Sequence, residues 1–421
     1  MRVVHLVHSY PPEFRGGTEA CVETLATAQL ARGDEPLVIS GSDVRLGSGP
    51  QGNGAAEEVS RELVGHLPVW RLRRRLEENY SVDARLPRMG ELVLRLLEEC
   101  DPAVVHLHHT LNLTSDLASR IRSAGIPVVA TLHDYTLVCA RFFLARPDGE
   151  SCASHFPLPS RRCFECVLPD FSGGAEQLEH ELRDKAACAP VEAEALSSAI
   201  VPSQLAARHW EQSGLFRAGQ VEVVPHAPGI GGSKARHSPV EGRLRLGTWG
   251  HLAPAKGVHD LLEALHELPS QAVSLRVFGA PTDPAYGEEL QKLAEGLDVT
   301  FAGAYRTEDL REAAAEMDLA VFPSRAEETF GLVVAEARAL GMPVVTSDRG
   351  ALPEGVGPAG TSVAAASPRA LAALLREVLE NPSRLATWRA ATAQEMLNPA
   401  SHADIVDDVY QRAIHTQRES R

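Results

Sequence analysis

Short apolar runs alternate along this chain with longer stretches whose apolar residues recur at helical spacing. The first pattern is that of buried strands and the second that of amphipathic helices. Residues 2–8 form one such run and end in Ser9-Tyr10-Pro11-Pro12. Gly16-Gly17-Thr18-Glu19 then opens a helical stretch over 20–32, closed by Gly33. Further strands are predicted at 36–40, 104–108, 126–132, 199–201 and 221–224, with a helix at 113–124 that Gly125 stops. After a polar, glycine-rich stretch at 229–242 the rhythm restarts. Strands are expected at 244–248, 274–279, 299–302, 319–322 and 343–346, and helices at 258–268, 286–296, 310–317 and 332–340. A last helical pattern covers 403–417. Such alternation predicts an α/β fold with parallel sheets covered on both faces. The restart divides the chain into an N-terminal domain, 1–228, a C-terminal domain, 229–398, and a terminal helix in 399–421 read as crossing back to the first. Two segments break the rhythm. Residues 45–62, rich in Gly, Ser and Asn, read as a mobile loop, and 139–174 holds four cysteines, several prolines and little periodicity. No internal repeat is seen at solenoid periods.

Composition narrows the class. A length of 421 residues suits two or three domains, and 44% hydrophobic residues suffice for sizeable cores. Lys+Arg number 41 against 56 Asp+Glu, a formal charge of −15. That balance argues against a general nucleic-acid binder, which needs a basic face. No run approaches the ~18 apolar residues of a membrane span. The first apolar run is too brief for a signal peptide and lacks a small-residue cleavage site. Seven cysteines, an odd count, favour a reducing cytoplasm in which clustered Cys serve as metal ligands. A soluble, cytoplasmic enzyme is the expectation.

The strongest chemical signal is the segment from Pro323 to Ala337, a strand end, a loop and a helix start near Thr329. Backbone amides at a helix start bind anions, and Gly331 removes the side chain that would block a phosphate. Glu328 and Glu336, eight positions apart, are placed to grip different hydroxyls of one polyol. The alternative is a capping acid and a solvated helix glutamate. Next comes Gly247-Thr248-Trp249-Gly250-His251-Leu252-Ala253-Pro254-Ala255-Lys256-Gly257, again strand, loop and helix start. Lys256 offers a compact cation suited to a diphosphate, or is an ordinary solvated lysine. Gly16 and Gly17 permit close approach of backbone to ligand, without the dinucleotide fingerprint. His133-Asp134 ends a strand, where ligand sites of α/β sheets lie. His106, His108 and His109 resemble a metal cluster, but strand alternation puts only the first two on one face. Pocket lining or sheet-end packing is the preferred reading.

With Gly16-Gly17-Thr18-Glu19, His133-Asp134-Tyr135, Pro202-Ser203, Lys256-Gly257 and Glu328-x7-Glu336 enclosing Thr329-Phe330-Gly331-Leu332, the chain resembles glycosyltransferase family 4 over nearly its whole length. The resemblance implies the GT-B fold, two Rossmann-like domains facing across a cleft. It implies transfer of a sugar from a nucleotide-sugar, with retained anomeric configuration and no required metal. On that resemblance Glu336 holds the ribose hydroxyls and Glu328 the donor sugar. Lys256 neutralises the diphosphate with the amides of Phe330, Gly331 and Leu332, His133 lies against the sugar and leaving group, and Gly16-Gly17 closes the site. The catalytic set is then His133, Lys256 and Glu328. The donor set is Gly16, Gly17, His251, Lys256, Thr329, Phe330, Gly331, Leu332 and Glu336. The family usually has Arg five residues before Lys256. Here His251 stands there, a weaker phosphate partner that implies a steeper pH dependence of transfer. Rival readings are a nucleotide-sugar epimerase on the same fold and a non-catalytic nucleotide-sugar-binding module.

Cys139, Cys152, Cys163 and Cys166 have 12, 10 and 2 residues between them. Cys163-x2-Cys166 suits one half of a tetrahedral metal site. Pro157, Pro159 and Pro169 argue against a regular helix there. A structural Zn²⁺ is preferred, with an iron–sulfur cluster and four reduced thiols as alternatives. The arginines of the run Arg71–Arg75 give the N-terminal half a basic patch for peripheral contact at the inner membrane face, or else a solvated helix with Glu77 and Glu78. The expected partners are a nucleotide-sugar donor and an acceptor that is a saccharide, a lipid-linked compound or a small molecule, with no nucleic acid.

Overall fold

A computed structural model describes residues 1–47, 57–76, 78, 82, 85–146, 151–152, 160–217, 219–230, 243–392 and 396–419. Residues 48–56 of the loop read over 45–62, Phe156, Pro157 and Pro159 of the insert, Glu77, and residues 231–242 of the polar stretch lie outside the described residues. The chain forms two compact units, Met1–His226 with Pro399–Arg421, and Ala227–Asn398.

The first unit contains β1 (Arg2–Val7), β2 (Glu35–Gly41), β3 (Val59–Val64), β4 (Leu67–Leu72), β5 (Val104–Leu107), β6 (Val128–Thr131), β7 (Ser198–Val201) and β8 (Val221–Val223). They make one sheet in the order β3-β4-β2-β1-β5-β6-β7-β8. Val3, Val4, Leu6 and Val7 of β1 are all fully buried. A strand covered on both faces needs a nearly continuous apolar run, not an alternating one, and here His5 interrupts it. Pairing is parallel except that β3 runs antiparallel to β4. Only Gly65 and His66 separate the two, and Gly65 has φ +60°. A link of two residues can reverse the chain but cannot cross over to make a parallel pair. The end of the stretch read as a loop is therefore strand.

This hairpin corrects the basic-patch expectation. Arg71 lies in a strand, not a helix, and Arg71 and Arg74 are 2% and 4% exposed. The Arg71 guanidinium donates to the carbonyl of Tyr10 at 2.7 Å and to that of Pro11, and it pairs with Glu62. A buried guanidinium needs such partners. Of the run, Arg73 is half-buried and Arg75 exposed, too little to form a docking face. No helix among the described residues is long and apolar enough to cross a membrane.

The helix Pro399–Glu419 lies on the first sheet. Its Ala403, Val406, Val409, Tyr410 and Ala413 form one helical stripe against Leu25 and against Val3, Val104, Val129 and Ile200 of four adjacent strands. Each buried valine contributes roughly 1.5–3 kcal/mol. The insert does contain a helix, Ser160–Val167. Its eight residues fit between the prolines that argued against it.

The second unit holds β9 (Leu244–Trp249), β10 (Val273–Phe278), β11 (Val299–Gly303), β12 (Leu319–Phe322), β13 (Val344–Ser347) and β14 (Gly360–Val363). All pairs are parallel, in the order β11-β10-β9-β12-β13-β14. The chain leaves β9 first to one side and then to the other. Such a switch point opens a crevice at the carboxyl ends of the two diverging strands. In the first unit the same reversal falls between β1 and β5.

Candidate active site

In the second unit, the loops leaving β9 and β12 meet at the switch point. The amides of Arg325 and Ala326 donate to the Ala255 carbonyl at 2.8 and 3.2 Å. Gly257 has φ +68°, and a Cβ there would lie 2.1 Å from the Pro323 carbonyl oxygen. Only glycine allows the two backbones to come this close. The result is that Lys256 Nζ sits 2.6 Å from Glu328 Oε1, which also accepts from Ser324 Oγ at 2.9 Å. Both side chains keep some exposure, 38% and 17%.

The backbone of Glu328 is clamped from the far side. The Ala351 amide donates to its carbonyl at 2.7 Å, and Gly350, at φ +59°, leaves room for it. Arg325 reaches back to buried Asp260 in a two-pronged pair, Nε–Oδ2 2.7 Å and Nη2–Oδ1 2.5 Å. The sequence pattern gave no sign of that pair, which fixes the loop to the helix Val258–His266.

The helix after Glu328 begins at Leu332, not near Thr329, and runs to Ala339. Gly331 is its N-cap, with φ +81°. Residues 328–331 therefore approach as loop, and Glu336 lies about one turn into the helix. Trp249 Nε1 donates to Glu336 Oε2 at 2.8 Å, so the end of β9 orients this carboxylate. Thr329, Phe330 and Leu332 are half-buried around the helix start, and His251 is exposed on the loop leaving β9. The structure thus joins Lys256 to Glu328, and Trp249 to Glu336 on the helix that Gly331 caps.

In the first unit, the ends of β1, β5 and β6 carry His8, His108, His109, His133 and Asp134. His8 and His109 rings lie 4.4 Å apart. His109 Nε2 is 3.2 Å from Asp134 Oδ2, and the Thr136 amide donates to Asp134 Oδ1 at 2.8 Å. Burial works to raise the Asp134 carboxyl. His109 and the Thr136 bonds outweigh it and hold the group well below the carboxylate range. His133 is half-buried but closely enclosed, which pushes its ring down to about 3. It is neutral at pH 7. A cavity of about 100 Å³ opens beside these groups, with Leu132, Leu137, Phe142 and Trp210 among its apolar lining.

Gly16 and Gly17 stand at the start of the helix Gly17–Arg32. The Gly16 amide donates to Glu19 Oε2 at 2.8 Å, a carboxylate cap of the helix start. Nothing would meet a Cβ on Gly17 within 4 Å, so its surroundings are open. Glu19 is 1% exposed. Burial pushes its carboxyl up to about 7, against the pull of the Gly16 amide. His8 Nδ1 is 3.3 Å away, but burial drives that ring down to about 3, so no ion pair forms at neutral pH. A carboxyl raised by folding makes the ionised form unfavourable in the folded state. Stability should fall as pH rises from the unfolded value near 4.5 through 7, by on the order of 3 kcal/mol. Glu19→Gln keeps an acceptor for Gly16 and removes the titration. Its melting temperature relative to wild type should rise between pH 5 and pH 8; an unchanged difference would exclude this role for Glu19.

Cys139, Cys152 and Cys166 are buried and Cys163 is half-buried; all are free thiols. Burial and the neighbouring charges of Cys139, Cys152 and Cys166 push the Cys163 thiol up to about 11. Cys163 and Cys166 share a face of the short helix. Among the described residues, the groups with three ligand atoms within 4.8 Å of one another are His5, His106 and His108, and Cys21, His133 and His226. The insert cysteines are not among these groups. His5, His226 and Cys21 escaped sequence reasoning because only strand order brings them near the other histidines.

Residues 15–227 match the profile described as Glycosyltransferase Family 4, and residues 243–381 that described as Glycosyl transferases group 1. The glycogen synthase of Mycobacterium tuberculosis is 35% identical over 191 residues, 44% of this chain and 46% of that protein. The D-inositol 3-phosphate glycosyltransferase of Streptomyces avermitilis is 32% identical over 240 residues, 50% of each. The chain spans about half the length of these relatives. Among solved structures, Anabaena HepE in complex with UDP superposes with TM-score 0.65 at 21% identity, covering 98% of this chain and 100% of that one. Sucrose-phosphate synthase from Thermosynechococcus elongatus gives 0.69 at 18%, covering 99% and 100%. At such identities the likeness shows the fold, GT-B with two parallel-sheet α/β units, as the sequence predicted. With profile matches spanning both units, the chain belongs to glycosyltransferase family 4.

Proposed function

We propose that this chain is a retaining glycosyltransferase that moves a sugar from a nucleoside-diphosphate sugar to an acceptor hydroxyl, with no metal required at the reaction centre. The observation that supports it most is the Lys256–Glu328 contact of 2.6 Å beside the helix start at Gly331. A cation, a carboxylate and a helix start are the groups that a diphosphate sugar needs together. The incoming diphosphate takes the Lys256 ammonium, and the released Glu328 takes hydroxyls of the donor sugar. Glu336, oriented by Trp249, receives the ribose hydroxyls. As the bond from the anomeric carbon to the diphosphate breaks, negative charge grows on the leaving oxygen. Lys256 and the amides of 330–332 stabilise that charge, supplying what a divalent cation supplies in other enzymes. His251 is the weaker partner at this phosphate. The acceptor is assigned to the N-terminal unit, where His133 lines the cavity.

The donor class is supported by the neighbours. HepE was solved with UDP and with UDP-glucose, and starch synthase IV of Arabidopsis thaliana with ADP and acarbose. Thermal-shift screening against UDP-, GDP-, ADP- and TDP-sugars should single out one nucleotide that raises the melting temperature. With that sugar and no acceptor, wild type should release nucleotide slowly and Glu328→Ala should not. Absence of both stabilisation and release would overturn this function.

Cys139, Cys152, Cys163 and Cys166 are proposed to hold a structural Zn²⁺. Burial and the neighbouring cysteines raise the proton affinity of the Cys139 and Cys163 thiols, which are stabilised when a cation replaces their protons. Elemental analysis of purified protein should find one zinc per chain, lost in Cys163→Ser; neither zinc nor iron would remove the site.

A further inference from the structure

Six polar side chains inside the first unit form two hydrogen-bonded branches from one amide. Gln29, wholly buried in the helix Gly17–Arg32, has Oε1 2.7 Å from His5 Nε2. His5 Nδ1 is 3.0 Å from His108 Nε2, and His108 Nδ1 is 2.9 Å from His133 Nε2. On the other branch, Gln29 Nε2 donates to Tyr410 Oη at 3.4 Å. Tyr410 Oη is 2.6 Å from His106 Nδ1, and His106 Nε2 is 2.7 Å from Thr131 Oγ1. The parallel register sets His5 beside His106, and alternation puts His108 on the same face. Tyr410 arrives on the C-terminal helix.

Burial keeps these rings neutral. It lowers His5 to about 4 and His106 and His108 well below their ordinary value. A neutral imidazole has one N–H, so each link allows one proton and the links depend on one another. The Gln29 carbonyl oxygen can only accept. His5 must then hold its proton on Nε2, His108 on Nε2, and His133 on Nε2. The other branch agrees: the Gln29 amide donates to Tyr410, Tyr410 donates to His106 Nδ1, and His106 Nε2–H donates to Thr131. Turning the amide over would reverse every link together. A metal at His5, His106 and His108 would have to break these bonds, because all six ring nitrogens are engaged.

We infer that Gln29, His5 and His108 are positioning residues that hold His133 in the tautomer with Nε2 protonated and Nδ1 as a lone-pair acceptor. The nitrogen that carries the proton is set by the bond the other nitrogen makes. His133 then acts as a neutral ring, not as a cation at the leaving group. The catalytic part of this inference rests on the glycosyl-transfer function proposed above; the tautomer itself does not.

The test is nitrogen–proton correlation NMR of the full chain labelled with ¹⁵N-histidine at pH 7, with His133 assigned by its loss in His133→Ala. Wild type should show Nε2 protonated and Nδ1 bare at His133. His108→Gln keeps an acceptor toward His133 and a donor toward His5, and should preserve that pattern. His108→Leu removes both. Its His133 should shift toward the other tautomer, and kcat should fall at least about tenfold with KM for the nucleotide-sugar unchanged. A wild-type His133 protonated on Nδ1 overturns the inference without any variant, as does an unaltered tautomer in a folded His108→Leu protein. If the tautomer behaves as stated but His133→Ala transfers sugar at the wild-type rate, the wire stands and the role of His133 in transfer falls.

Discussion

Lys256→Ala should lower kcat/KM for the nucleotide-sugar by about 10²–10³-fold while leaving the protein folded. Among the described residues, the ammonium is the one side-chain cation seen against Glu328, at 2.6 Å. Its removal takes a full positive charge from the place where the leaving diphosphate develops negative charge. Stability should change little, because Lys256 is 38% exposed, and a pair this open to water is worth about 0–1 kcal/mol. Most of the loss should fall on kcat, since the interaction strengthens as the bond breaks. Lys256→Arg keeps the charge but changes its shape, and should recover part of the rate. Steady-state kinetics with the nucleotide-sugar found by thermal shift decide the matter. A Lys256→Ala enzyme within tenfold of wild type would remove the lysine from the phosphate.

Gly257→Ala should damage both the fold and the chemistry, although it adds a single methyl. The φ of +68° costs a residue with a Cβ roughly 1–2 kcal/mol. The larger problem is the neighbour. The new Cβ would lie 2.1 Å from the Pro323 carbonyl oxygen and 3.2 Å from Asp260 Oδ2. Backbone cannot turn aside as a side chain can, so the 254–257 loop must leave β12. That would strain the bonds of Arg325 and Ala326 to Ala255 and carry Lys256 away from Glu328. A total destabilisation of about 3 kcal/mol or more is expected, together with a raised KM and a lowered kcat. Denaturant unfolding and kinetics should show both effects. Full stability in Gly257→Ala would mean that the two loops are not packed as described. The pair of variants separates charge from geometry: one loses rate with the fold intact, the other loses both.

Much of this chain was legible in its sequence because the informative contacts are local. The alternation of apolar runs with helical stretches recurs within a few residues, and every strand it predicted is present, while β3, β4 and β14 went unread. Lys256-Gly257 and the stretch from Glu328 to Glu336 are each a strand end, a loop and a helix start. The backbone requirements of such a unit, a glycine with positive φ and open amides, show in adjacent residues. Predictions failed where neighbours in space overrode local pattern. Arg71 looked like a solvated charge, yet the carbonyls of Tyr10 and Pro11, some sixty positions away, draw it inside. The helix of the insert was discounted on its prolines, which flank it without interrupting it. Helix Ala175–Ala195 went unread, with Pro190 inside it.

The −15 charge and the apolar rhythm by themselves determined the class: an acidic α/β protein. The sequence also identified the family and the loops after β9 and β12 that carry Lys256 and Glu328. Only the tertiary structure decided how those positions are joined. Trp249 meets Glu336 across 87 residues, His5 meets His108 across 103, and Gln29 meets Tyr410 across 381. Hydrogen bonds and buried charge pairs act over about 3 Å, whatever the separation along the chain. Sequence periodicity reports which face of an element is buried. Strand order and register determine which side chains then meet, and those depend on the packing of the whole unit.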